Sequence, residues 1–168
     1  MNVNSQVSMT SKGLLLAKNR KAMFNHTLLE RYSAGIVLKG YEVKAIREGK
    51  VDFEGSYIKL INDVPTVTNL YIGRYSKQST TSERLDEKRP RGLLLGKKEI
   101  ADINRELSEK GKTAVPTALS MQHGKIKLEF AVVKGKKEFE KKQTAKDRQI
   151  KIDLAKESKE IKKSIWTQ

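Results

Sequence analysis

Two neighbouring runs constrain this chain most. Thr113 to Met121 and Lys125 to Val133 flank Gln122-His123-Gly124, and in the second run Ile126, Leu128, Phe130 and Val132 alternate with Lys125, Lys127 and Glu129. A period of two sends successive side chains to opposite faces of a pleated strand, so the pair reads as a half-buried antiparallel hairpin. Other strand signals precede it. Thr27 to Leu38 reads as extended, ending in the branched run Ile36-Val37-Leu38. Tyr57 to Ile61 and Val64 to Ile72 are joined by the turn pair Asn62-Asp63, a second hairpin in which Pro65 predicts an edge position.

Two helices interrupt the strands. Tyr41 to Glu48 places Val43 and Ile46 toward a core and Glu42, Lys44 and Arg47 outward, with Gly49 as a left-handed stop. Lys97 to Lys110 carries the stripe Ile100, Ile103 and Leu107 and ends at Gly111. Between them, Gly73 to Gly92 has no apolar period and is too long for an ordinary turn, which predicts a functional or disordered loop. Strands with turn punctuation and no βαβ rhythm predict a mainly β fold. The expected architecture is a small antiparallel barrel of oligonucleotide-binding (OB) type, with two or three flanking helices.

From Lys134 the strand pattern stops. The last stretch holds 12 Lys and Arg against 6 Asp and Glu, a net of +6 out of +15 for all 168 residues, which leaves +9 on the body. With few apolar side chains, this tail is expected to be disordered or helical, and to be ordered by a polyanion. If it is helical, Ile150, Leu154, Ile161 and Ile165 share one narrow side, and Trp166 lies off it. Length allows one domain. The expected division is a flexible N-terminus over 1–13, a barrel over 14–133 and the basic tail over 134–168.

A cationic body with a cationic tail calls for a large acidic partner, with nucleic acid ahead of an anionic membrane surface. The absence of cysteine removes disulfides, thiolate nucleophiles and zinc ribbons, and fits a reducing cytosol. Leu14 to Ala17 is too short for a signal-peptide core or a membrane span, so a soluble cytoplasmic protein, monomeric when free, is expected. Catalytic motifs are missing: no phosphate-cradling glycine loop, no HExxH, and only His26 and His123, the latter in an expected turn. Glu42-x-Lys44 matches half of a magnesium nuclease signature, but on a helix it reads better as a surface ion pair. No metal, cofactor or catalytic residue is expected.

Binding signals are stronger. Glycines followed by lysine recur at Gly49-Lys50, Gly96-Lys97, Gly111-Lys112, Gly124-Lys125 and Gly135-Lys136, placing cations at bends where a phosphate chain can come close. Beside them stand Asn19-Arg20-Lys21 and the loop cations Arg84, Lys88, Arg89 and Arg91, with Tyr71 and Tyr75 as stacking planes. Sparse aromatics favour a grip on folded RNA through phosphates and shape over a row of stacked bases. A generic single-strand binding barrel is the alternative.

The motifs in order run Asn19-Arg20-Lys21-Ala22, Ala34-Gly35-Ile36-Val37-Leu38, Gly40-x-Glu42-Val43-Lys44-x-x-Arg47-x-Gly49-Lys50, Ser56-Tyr57, Leu93-Leu94-Leu95, Val115-Pro116 and Lys134-Gly135-Lys136-Lys137. This set resembles the SsrA-binding proteins, the small protein B family, over roughly Asn19 to Arg148. The resemblance implies an OB-type adaptor that binds the tRNA-like domain of transfer-messenger RNA and carries it to ribosomes stalled on broken messages. Its body would stand in for a missing anticodon arm. Its tail would become helical in the decoding centre and empty messenger channel of the small subunit, against ribosomal RNA. Carried over, Asn19, Arg20 and Lys21 would face the tRNA-like RNA. Leu94 would shape that surface, Glu42 would orient its basic neighbours, Lys44 and Arg47 would meet phosphate, and Arg89 and Arg91 would add to the grip. At the tail, Lys134, Lys136, Lys137, Glu140, Lys141, Lys142 and Arg148 would serve the ribosome, with Glu140-Lys141-Lys142 in place of the family's Asp-Lys-Arg. This chain departs from the family at Ser33, where an acidic residue is usual, at Met23-Phe24 in place of Arg-His, and at Gly92 in place of a basic residue.

Overall fold

The structure, a computed structural model, describes residues 13–78 and 86–165. Arg84, Trp166 and the expected N-terminal segment up to residue 12 lie outside these residues. The chain divides into two compact units, Met1–Lys134 and Gly135–Gln168.

The first unit is built on the long hairpin. Strands β8 (Lys112–Gln122) and β9 (Lys125–Gly135) pair antiparallel through a two-residue turn, in which His123 and Gly124 both take positive φ, 49° and 73°. That turn matches the twist of the strands it joins. A second tight hairpin, β4 (Tyr57–Ile61) to β5 (Val64–Thr68), turns on Asn62 and Asp63 at φ 50° and 60°. Around them lie β1 (Leu14–Lys18), β2 (His26–Ile36), the short pair β3 (Val51–Asp52) and β6 (Tyr71–Ile72), and β7 (Arg91–Leu94). The main sheet runs β1-β8-β4-β5-β7-β2-β9, and because β9 also pairs with β8, the sheet closes on itself. Every pairing with a resolved register is antiparallel. Closure leaves few unpaired edges, as in an OB-type barrel.

The barrel interior takes the alternating face of β9. Leu128, Phe130 and Val132 are fully buried, with Ile58, Val67, Leu70, Leu93 and Leu119 about them. Two helices close it. In α2 (Gly40–Arg47), Ala45 and Ile46 are buried and Val43 is half-buried. Gly49 at φ 76° ends this helix with paired bonds, its N–H to the Ile46 carbonyl and the Lys50 N–H to the Ala45 carbonyl, both 3.0 Å. That is a Schellman stop, which satisfies carbonyls a helix end would orphan. In α3 (Lys97–Ser108), Ile103 is buried while Ile100 and Leu107 are half-buried, the stripe the spacing predicts.

Three elements were not expected from sequence: β1, the helix α1 (Arg20–Asn25) and β7. Helix α1 covers the other face of the long hairpin, where Ala22 packs with Val115, Ala131 and Val133 in a small second core. Pro65 corrects the edge expectation. It is fully buried in β5, which lies between β4 and β7. The tight turn makes Ile61–Val64 the closing hydrogen-bonded pair, so Pro65 opposite Leu60 falls at a position with no bond to β4, and pairing with β7 begins only at Thr66. The missing N–H is therefore never called upon.

The second unit is one helix, α4 (Glu138–Ile165), 28 residues and about 42 Å long at 1.5 Å per residue. The Lys137 N–H donates to Glu140 Oε2 at 2.9 Å, which closes its first turn. Ile150, Ile152 and Leu154 are exposed on it.

Candidate nucleic-acid interface

Asn19 begins the first group of site residues. Its Oδ1 accepts from the Ala22 N–H at 3.0 Å and caps α1, its Nδ2 donates to the Pro116 carbonyl at 2.9 Å, and its backbone N–H donates to the Thr117 carbonyl at 2.8 Å. The β8–β9 register slips between Pro116 and Ala118, so these are carbonyls a bulge leaves without ladder partners. Asn19 thus locks α1 to the bulge, and its two exposed successors, Arg20 and Lys21, are held in place by it. His26, the first residue of β2, sets the other end of α1 with its Nδ1 3.2 Å from the Ala22 carbonyl. Lys18, Arg20, Lys21, His26 and Tyr57 line an open groove of about 680 Å³, with Asp52 and Glu54 across it. Lys21 pairs with Glu54 at 3.1 Å, but both are exposed, and such a pair contributes little and yields readily to a phosphate.

Around α2 the structure corrects the sequence reading. Glu42 does not face outward and does not pair with Lys44. It is buried, and its carboxylate accepts from Arg89 Nε at 2.9 Å, Arg89 Nη2 at 2.5 Å, Arg91 Nε at 2.8 Å and the Lys39 N–H at 2.7 Å. Burial opposes its charge, yet the donors from Arg89, the Lys39 backbone and Arg91 outweigh that opposition and hold the carboxyl below its ordinary value. Arg91 is likewise no loop cation. It opens β7 with its side chain fully buried, and donates besides to the carbonyls of Leu70 at 2.6 Å and of Arg89 and Glu87 at 3.1 Å each. Burial pulls its guanidinium downward and Glu42 pushes it back up; an arginine in such a pair stays charged. A carboxylate held by two guanidiniums has no lone pairs free for magnesium, which removes the nuclease reading of Glu42 and Lys44.

Arg89 is the half-exposed member of this knot, and Glu42 pushes its guanidinium further up. The ends of the long loop are tied to α2 by carboxylates. Glu42 holds Arg89, and Glu48 just past the helix accepts from the Ser76 N–H and Oγ at 2.9 Å each. Lys44 and Arg47 are exposed on α2. Lys44 Nζ lies 4.9 Å from the centre of the Tyr75 ring, so that stacking plane already carries a cation on one face. Lys88 is exposed on the returning end of the loop.

Leu94 is 67 % exposed on β7, opposite Gly35. A Cβ at Gly35 would stand 3.3 Å from Leu94 Cδ1, so a larger residue there would shift the leucine from its seat. Exposed Val37 and Val64 flank Gly92 next to it. In the second unit, Lys134, Lys137, Lys142 and Arg148 are exposed, and Lys141 and Lys136 are half-buried, the latter with its Nζ 3.2 Å from Thr144 Oγ1. Glu140 serves the start of α4. Sequence reasoning passed over Lys18, Arg31, Glu48 and Glu129; no spacing marks them, because partners distant in the chain bring them to the surface features they line. Among the described residues no cluster of His, Asp and Glu fit for a metal ion is found, and no helix is long and apolar enough to cross a membrane.

The family model described as SmpB protein matches residues 16–160. An SsrA-binding protein of Persephonella marina is 41% identical over 145 residues, covering 86% of this chain and 94% of its own. That of Treponema denticola is 41% identical over 145 residues with coverages of 86% and 93%, and that of Nitratiruptor sp. 44% over 133 residues with 79% and 88%. A chain in the solved structure described as "tmRNA-SmpB: a journey to the center of the bacterial ribosome" superposes with a TM-score of 0.62 at 39% identity, over 73% of this chain and 85% of that one.

Proposed function

The chain belongs to the SmpB family, and on that premise we propose that it is an RNA-binding adaptor. It binds the tRNA-like domain of transfer-messenger RNA and delivers it to stalled ribosomes for trans-translation in the cytoplasm. The observation that carries the reading is the reach of the family match, residues 16–160, which takes in both the closed sheet and most of α4. The related chain described with tmRNA in the ribosome supports the same partners. The groove below α1 and the cationic face of α2 provide the grip on the RNA. Arg20, Lys21, Lys44, Arg47 and Arg89 meet phosphate, and Leu94 gives an apolar contact. Asn19, Glu42 and Arg91 act one step behind, holding those residues in place. Helix α4 and its root, Lys134 to Lys142 with Arg148, occupy the decoding centre and the empty messenger channel. The protein moves RNA and catalyses nothing.

Purification from native cells followed by sequencing of the RNA that comes with it tests this directly. One RNA with a tRNA-like end is expected, and an unselective mixture would overturn the reading. Truncation before Lys136 is expected to spare binding of that RNA and abolish rescue. Competition with unstructured oligonucleotides separates the adaptor from a generic single-strand binder, which would prefer the latter.

A further inference from the structure

A second pocket, of about 390 Å³, opens beside the groove and has walls from Met23, Leu28, Tyr32 and Phe130. That volume lies within the range of small-molecule sites, roughly 300–1,000 Å³. The rings of Tyr32 and Phe130 stack at 5.4 Å and 19°, giving it a flat aromatic side. Lys18 and Arg31, both exposed, belong to its lining, and so do Ser33 and Glu129. Glu129 Oε1 accepts from Ser120 Oγ at 3.0 Å. The hydroxyl of Tyr32 is shut from solvent with no hydrogen-bond partner.

This combination is peculiar for a phosphate grip. A carboxylate beside two cations weakens their hold on a phosphate, so a surface meant only for a backbone gains nothing from Glu129. It gains if something other than phosphate enters the pocket. We propose that the pocket between β1, β2 and β9 is a nucleobase subsite that takes an unpaired guanine of the bound RNA. The base lies against the Tyr32–Phe130 side, Lys18 and Arg31 hold its phosphates, and the Glu129 carboxylate reads its Watson–Crick edge. Guanine presents two parallel donors there, N1–H and the N2 amino group, which one carboxylate accepts together. Adenine and cytosine place a ring acceptor beside their single amino group, and uracil flanks its one N–H with two carbonyls. Each of those sets an oxygen or nitrogen lone pair against the carboxylate. This subsite deepens the RNA-binding reading and rests on it for the source of the base.

The test uses the full chain and the four nucleoside monophosphates, followed by amide chemical shifts. GMP is expected to shift Tyr32, Ser33, Glu129 and Phe130 saturably, roughly tenfold more tightly than AMP, CMP or UMP. Glu129→Gln keeps an acceptor for Ser120 and is expected to remove that preference while leaving the rest of the spectrum in place. Its affinity for the tRNA-like RNA should fall by roughly tenfold. An equal response to all four nucleotides, or none at these amides, overturns the subsite even if the wild-type protein binds the tRNA-like RNA. Guanine selectivity without binding of that RNA upholds the subsite and overturns the adaptor reading instead.

Discussion

Glu42 closes the first turn of α2 and neutralises two guanidiniums, so its removal is felt in three places at once. Glu42→Ala strands Arg91 with a buried charge and no counter-ion, a change that costs about 3–5 kcal/mol. Urea unfolding followed by circular dichroism is expected to register a loss of that order, with a smaller one for Glu42→Gln, which retains an acceptor. The acid limb of stability has a defined sign. Because the folded carboxyl is held below its ordinary value, the unfolded chain takes up the proton first as pH falls. The stabilisation from Glu42 is therefore complete above the ordinary carboxylate value and drains away below it. Wild type and Glu42→Gln are expected to converge in stability as pH drops from 5 toward 3; curves that stay parallel there would contradict the pairing. Only part of this was readable in the sequence. The spacing from Lys39 to Glu42 is a helix-start signal, but Arg89 and Arg91 lie 47 and 49 residues away, and no local pattern announces that a charged residue will turn inward to meet them.

Elements that carry their own period were legible, and those that borrow their reason from elsewhere were not. The long hairpin, the Asn62-Asp63 turn, α2 and α3 follow from alternation, turn residues and stripes within each segment. Helix α1 has only six residues, too few for a stripe, and its start is fixed by an asparagine bonded to a carbonyl 97 residues on. Strand β7 opens on an arginine and a glycine, which reads as loop until the ion pair with Glu42 is known. Helix α4 was left open between disordered and helical because its lysines and scattered isoleucines permit either. Its length and its exposed Ile150, Ile152 and Leu154 leave little packing to hold it, so local backbone energy decides. Ile150→Pro, costing about 3 kcal/mol or more in a helix interior, is expected to lower the helical signal of the full chain. Rescue should be lost and binding of the tRNA-like RNA unchanged; a parallel loss of RNA binding would show that the helix serves both tasks.

At the scale of the whole molecule, charge rather than shape sets how the two units share their work. The body carries +9 and the tail +6, and both meet polyanions, so each phosphate contact releases counterions. The logarithm of the affinity is expected to fall linearly with the logarithm of salt concentration, by roughly 0.7–0.9 per contact. The slope therefore counts the cations that touch phosphate, independently of any change in fold. Lys44 and Arg47 are exposed and take no part in the core, so replacing both by alanine should leave stability unaltered and flatten the slope by roughly 1.4–1.8. Glu129→Gln should behave in the opposite way, weakening binding by a similar factor at every salt concentration with the slope intact, because a carboxylate reading a base edge displaces no counterion. Filter binding of the three proteins to the tRNA-like RNA across a salt series measures both. A flat response to the Lys44 and Arg47 replacement would move the phosphate grip off α2 and onto the groove beneath α1.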